Sequence, residues 1–207
     1  MNAIDHFFFV LNDAIFNSLS REIIQFLNSQ QRFVDEVARQ ALFKFENEYI
    51  EGKYSKEKYF EKTANIFKLD MAEDELEKAI FSRIKPTHGI LRVLSELHTC
   101  YSLTLFSQFS PELLHQFSSL FVLKEYFPEE NILYACETGL IDQPDSLFQK
   151  LISMGRIHPG KSIWVDSNPR LTSISIRARM DAIIFQDAEK LRREIALRGL
   201  LPPLGND

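Results

Sequence analysis

Four places in this chain gather polar side chains directly behind an apolar, β-forming run. Asn12 and Asp13 follow "FFFVL", Ser107 and Gln108 follow "YSLTLF", Glu137 to Gln143 follow "ILYA", and Asp166, Ser167 and Asn168 close "SIWVD". Carboxylates in such places can attack an electrophile, move a proton or ligate a hard cation, while hydroxyls and amides can hold the oxygens of a bound group. The first run is the odd one. It has the texture of a buried strand delivering a reactive group to its end, yet the residue at the delivery point is Val10.

Strand-helix alternation would position these clusters. The runs at 101–106, 132–135, 162–166 and 182–185 are short, apolar and rich in β-formers, and residues 7–12 form a first strand. Each later run is followed by a helix-start signal: Ser110-Pro111, Pro144-Asp145, Asn168-Pro169 and Asp187. Gly155 and Gly199 stand where two of those helices should stop. Such alternation implies an α/β fold, a Rossmann-like parallel sheet with helices on both faces, in which ligands bind at the carboxyl ends of the strands. From Ser20 to Ile84 the pattern is helical instead. Gly52 interrupts it, Ser55 can cap the following helix, and Asp70 and Glu73 have capping-box spacing. The expected organisation is one α/β core, residues 1–16 plus 87–207, with residues 17–86 inserted as helices.

Composition narrows the classes. With 45% hydrophobic residues, 18 of them Phe, and seven Gly, the chain can bury a full core. The net charge of −5, with Lys and Arg dispersed among acids, argues against a nucleic-acid or anionic-membrane footprint. The run at 7–11 lacks the basic start and length of a signal peptide, and nothing approaches the roughly 18 apolar residues of a membrane span. Two cysteines, Cys100 and Cys136, are too few for a disulfide framework, so a reduced cytoplasmic setting is expected.

The stretches "PTHGILRVLSELHTCYSLTLFSQFSPELL" and "ETGLIDQPDSLFQKLISMGRIHPGKSIWVDSNPRLTSISIRARMDAIIFQD", with the helical "FENEYIEGKYSKEKYFEKTANIF", resemble the haloacid dehalogenase (HAD) superfamily, in its phosphatase-like branch with a helical cap after the first strand. The resemblance spans nearly the whole chain. It implies a chemistry in which a strand-end Asp attacks phosphorus, a second Asp two residues on acts as acid and base, a hydroxyl and a Lys hold the phosphoryl oxygens, and carboxylates bind Mg²⁺. Carried over position by position, the nucleophile falls on Val10, the acid/base on Asn12, the hydroxyl on Ser107 with Gln108 after it, the Lys on Gln143, and the paired acids on Asp166 and Ser167. The resemblance therefore implies no catalytic residue and no metal site, Asp166 being the one matching acid retained. Asn12, Ser107, Gln108, Gln143 and Asp166 remain as ligand-binding candidates.

Valine has no lone pair with which to attack. Asp13, three residues on, sits on the opposite face by strand alternation and reads as a turn or helix-start aspartate. The losses are coordinated: removing the carboxylate while keeping a buried lysine would leave an unpaired charge costing roughly 3–5 kcal/mol, yet Val10, Asn12, Gln143 and Ser167 are all neutral. His6, His88, His98, His115 and His158 have no ligand spacing, and Phe26, Phe33, Phe43, Phe45 and Trp164 read as core. The expected function is that of a pseudoenzyme that binds a protein partner or a small molecule. A hydrolase with an atypical nucleophile and a structural or oligomer-forming subunit are the alternatives.

Overall fold

The computed structural model describes residues 3–50, 53–115, 122–135 and 144–203. At its centre lies a parallel five-stranded sheet: β1 (His6–Val10), β2 (Ser102–Ser107), β3 (Ile132–Tyr134), β4 (Ser162–Asp166) and β5 (Asp181–Ile184), in the spatial order β3-β2-β1-β4-β5. β1 is central and covered on both faces, which is why it reads as an unbroken apolar run instead of an alternating one. Phe7 and Phe9 point into the larger hydrophobic cluster, Phe8 and Val10 into the smaller, where Trp164 packs edge-on against Phe148 with ring centroids 4.8 Å apart. The chain moves from β1 to β2 and β3 on one side and resumes at β4 on the other. That reversal opens a crevice at the carboxyl end of β1, the usual ligand position in such sheets.

Among the described residues five helices separate β1 from β2 along the chain, the first four being α1 (Leu19–Ser29), α2 (Glu36–Ile50), α3 (Lys56–Ile66) and α4 (Glu73–Phe81). Ser18, Asp35 and Ser55 start the first three by accepting backbone N–H bonds, the local chemistry their side chains favour. The helices bury Leu19, Ile23, Leu27, Leu42, Tyr59, Phe60, Leu76 and Ile80 against one another and against the sheet cluster. Two neighbouring strands of chain link them to the sheet, paired through a bridge between Phe16 and Pro86 and a 2.7 Å bond from Thr87 N to Ile15 O.

Two expectations are corrected here. The turn before α4 is closed at Ala72, whose N–H donates to the Glu75 carboxylate, and not by the pair Asp70 and Glu73; an acidic run offers more than one register for the same spacing. Phe33 and Phe43 are 90% and 40% exposed, whereas Phe26 and Phe45 pack on the core. α2 buries Leu42 and Glu46, so its covered stripe is narrow, and Phe43, three residues before Glu46, lies at the edge of that stripe beside the strand-end cavity.

The fifth helix, α5 (Ile90–His98), leads into β2, and the later helices each follow a strand: α6 (Pro111–Leu114), α7 (Pro144–Ser153), α8 (Pro169–Arg177) and α9 (Ala188–Leu197). Asn168 and Asp187 cap α8 and α9 as the sequence predicts, and Gly155 and Gly199 leave α7 and α9 with φ of 69° and 72°. Gly52, Cys136, Gln143 and the segment 137–142 lie outside the described residues. On the outer margin of the sheet, Ala182 has both backbone groups taken by side chains: its N–H donates to Asp181 Oδ1 at 2.8 Å and its carbonyl accepts from Arg198 at 3.2 Å. Asp181 and Arg198 are themselves paired at 2.6 Å.

Gly89 begins α5 with φ of 76°, and a Cβ added there would stand 3.3 Å from Ala188 Cβ at the start of α9. Gly89→Ala should therefore lower the unfolding free energy by about 1–2 kcal/mol in urea titration, from the left-handed backbone alone. An unchanged midpoint would show that the backbone relaxes without strain.

Candidate functional site

The parallel register sets Val10 beside Phe106 on β2 and one step beyond the Phe9–Val165 pair on β4, so Val10, Ser107 and Asp166 end their strands together. After Val10 the chain turns sharply. Leu11 N donates to Phe106 O, and Leu11 O accepts from both Ile15 and Phe16. Asp13 takes the left-handed conformation, φ 58°, which Asp tolerates better than most residues. Its carboxylate accepts the Ser18 N–H at 2.9 Å and stands 3.5 Å from the Arg21 guanidinium, so it ties the turn to the start of α1.

Asp166 is 1% exposed. One oxygen accepts the Asn168 N–H at 2.9 Å, the other the Trp164 indole N–H at 3.2 Å. Burial pushes its carboxyl up to about 6 and the nearby Asp13 charge adds to that, against the pull of these hydrogen bonds. The Ser107 hydroxyl is fully buried and donates to the Phe109 carbonyl at 3.0 Å, which holds it inside its own turn. Asn12 Oδ1 is buried without a hydrogen-bond partner among the described residues.

The helices supply a residue that the sequence reading missed. Glu46 of α2 inserts a fully buried carboxylate at the head of α1, accepting the N–H groups of Leu19 at 2.8 Å and Ser20 at 3.1 Å. Those donors belong to the first turn, whose N–H groups have no partner within the helix, and the positive end of the helix dipole favours an acid there. Burial nevertheless pushes Glu46 up to about 7, with Asp13 adding repulsion. A Glu four residues from Leu42, on the covered stripe of an amphipathic helix, was the available signal.

Together these groups line a cavity of about 120 Å³. Asn12, Gln108, Asp166 and Ser167 come together there with Val10, and α2 adds Phe43, Glu46 and Ile50; Ser107 is not among the lining residues. Asp13, Glu46 and Asp166 are the charged groups on its wall, and no Lys, Arg or His is among the described lining residues. Nor do three or more His, Cys, Asp or Glu side chains come together as a metal-ligand set among the described residues.

No family model matches the chain, and no curated protein is similar in sequence. Solved structures are similar in fold. The HAD family enzyme BT-2542 from Bacteroides thetaiotaomicron superposes with a TM-score of 0.64 at 12% identity, over 90% of this chain and 95% of that one. L-2-haloacid dehalogenase from Xanthobacter autotrophicus, solved with chloropropionic acid covalently bound, gives 0.62 at 16% identity, over 97% and 85%. The HAD-hydrolase YfnB from Bacillus subtilis, bound to magnesium, gives 0.64 at 12% identity, over 94% and 100%. The chain has the fold of HAD-family hydrolases.

Proposed function

We propose that this chain is a HAD-fold protein without hydrolytic chemistry, a pseudoenzyme that acts by binding a small molecule or a protein partner. One observation carries the reading: Val10, 1% exposed and packed in the cluster of Phe8, Phe106 and Trp164, floors a cleft whose charged wall is acidic. An aspartyl intermediate cannot form on an alkyl side chain. A phosphate ester entering this cleft would face Asp13 and Asp166 with no Lys, Arg or His among the described lining residues, Arg21 standing behind Asp13 at 3.5 Å. At an effective dielectric of ~20, each pair of like unit charges ~4 Å apart costs about 4 kcal/mol. Asp13 and Ser107 are the candidates for a substitute nucleophile, but the Asp13 carboxylate is engaged by Ser18 and Arg21, and the Ser107 hydroxyl donates to the Phe109 carbonyl and does not line the cavity. In this reading residues 17–86 form a cap over an α/β core of residues 1–16 plus 87–207.

The donor set also speaks against Mg²⁺. Val10 offers no ligand, and both Asp166 oxygens already accept N–H bonds. With a dissociation constant no tighter than ~10 mM, ~10 mM Mg²⁺ stabilises the fold by at most about 0.4 kcal/mol. Phosphomonoester hydrolysis across a broad substrate panel should equal the buffer blank with or without ~10 mM Mg²⁺. Turnover that disappears in Asp13→Asn, or a clear melting shift at ~1 mM Mg²⁺ that disappears in Asp166→Asn, would restore the hydrolase reading.

A further inference from the structure

A second cleft, of about 380 Å³, opens where the chain passes between the helices and the sheet. It shares no lining residue with the first. Asn17 and Glu22 wall it on the outgoing side, and the returning segment from Ser82 to His88 walls it on the other. That segment presents Arg83, Lys85 and His88, against one acid, Glu22. Glu22 is already engaged: its carboxylate accepts from Asn17 Nδ2 at 2.7 Å and lies 3.9 Å from Arg83 Nε. Lys85 and His88 are exposed and carry no ion pair to a described residue.

With Arg83 offset by Glu22 and histidine counted neutral, the cleft carries one net positive charge, at Lys85, in a chain of net charge −5, and such a local exception concentrates anions from solution. The walls are also held in place beforehand. The Phe16–Pro86 bridge and the Thr87 N to Ile15 O bond fasten the two passages together, while the Arg83 guanidinium lies 6.0 Å from the centroid of the Phe26 ring. Fixing a wall in advance lowers the ordering entropy that binding would otherwise cost. The volume falls in the roughly 300–1,000 Å³ range of small-ligand sites, whereas the strand-end cavity does not.

We propose that this junction cleft binds a small ligand bearing a phosphate or carboxylate group, with Lys85 as its charge partner and Arg83, shared with Glu22, as a further donor. The bound anion bridges the outgoing and returning passages and so holds the helices against the sheet. Titration calorimetry on the full chain, with inorganic phosphate and with citrate as probes, decides both the site and the chemistry. At least one probe should bind the wild type, weaken at least five-fold in Lys85→Gln, and weaken further in Lys85→Glu. Binding should fall again between ~50 and ~300 mM NaCl and should persist in Asp166→Asn, which alters the other cleft. Lys85 is exposed, so its variants keep the fold; circular dichroism verifies this. The probe that binds more tightly identifies the ligand group. Absence of binding by either probe, equal binding by Lys85→Glu and wild type, or loss of binding in Asp166→Asn would each overturn the assignment.

Discussion

Val10→Asp is expected to lower the unfolding free energy at pH 7 by roughly 3–5 kcal/mol, the range for a buried charge without a partner. The side chain at this position sits among Phe8, Phe106 and Trp164 and has almost no exposure. An aspartate there would stand beside a cleft whose charged groups are Asp13, Glu46 and Asp166. Protonation would relieve the repulsion but still leave a buried carboxyl in need of hydrogen bonds. Val10→Asn, of the same shape and uncharged, separates the two effects. It should cost less than the aspartate, and the gap between the variants should widen as pH rises. Urea unfolding of both across pH 5–8 measures this. If the two variants lose equally little, under about 1 kcal/mol, then Val10 occupies a hydrated position and the site has been placed wrongly.

The second large effect is a pH dependence written by Glu46. Its carboxyl is raised from 4.5 to about 7 by burial first and the Asp13 charge next. Between those two values the folded chain holds a proton that the unfolded chain has released. Stability from this group is therefore fully present below about pH 4.5 and is lost as pH rises through 7. The amplitude is about 3 kcal/mol at 1.36 kcal/mol per pH unit. Glu46→Gln removes the titration, so the difference in stability between wild type and variant should shift by that amount from pH 4.5 to pH 8, favouring the variant at the alkaline end. Asp166 titrates in an overlapping window but is present in both proteins and largely cancels. Parallel pH–stability curves for the two proteins would show that the Glu46 carboxylate is solvated.

How much could be read from the sequence depended on whether the cause was local. Ser55, Asn168 and Asp187 start helices through bonds to backbone two or three residues ahead, and those caps were legible. "FFFVL" was legible because a strand buried on both faces must be apolar on both. The strand ended at Val10 and not at residue 12 because Leu11 already turns back to Ile15 and Phe16. Glu46 was legible only as an acid on the stripe of Leu42; its role was hidden, since the N–H groups it satisfies lie 26 and 27 residues away. Phe33 and Phe43 misled because the spacing of apolar residues does not say which stripe of a helix meets the core. At the candidate site, the motif positions Asn12, Asp166 and Ser167 do share one cavity, but Ser107 has turned to the Phe109 carbonyl.

The paired Asp181 and Arg198 have one more consequence. β5 is one of the two margins of the sheet, and a strand margin with unsatisfied N–H and C=O groups is a template on which another chain can polymerise. Here the outward N–H and C=O of Ala182 are both occupied by a mutually neutralising acid–base fork. A second molecule seeking to extend the sheet must first part that fork and take the guanidinium from Asp181, while Arg198 keeps Glu194 at 2.9 Å. An incoming strand therefore finds neither backbone group of Ala182 free on the β5 margin, and ladder growth through that residue is disfavoured.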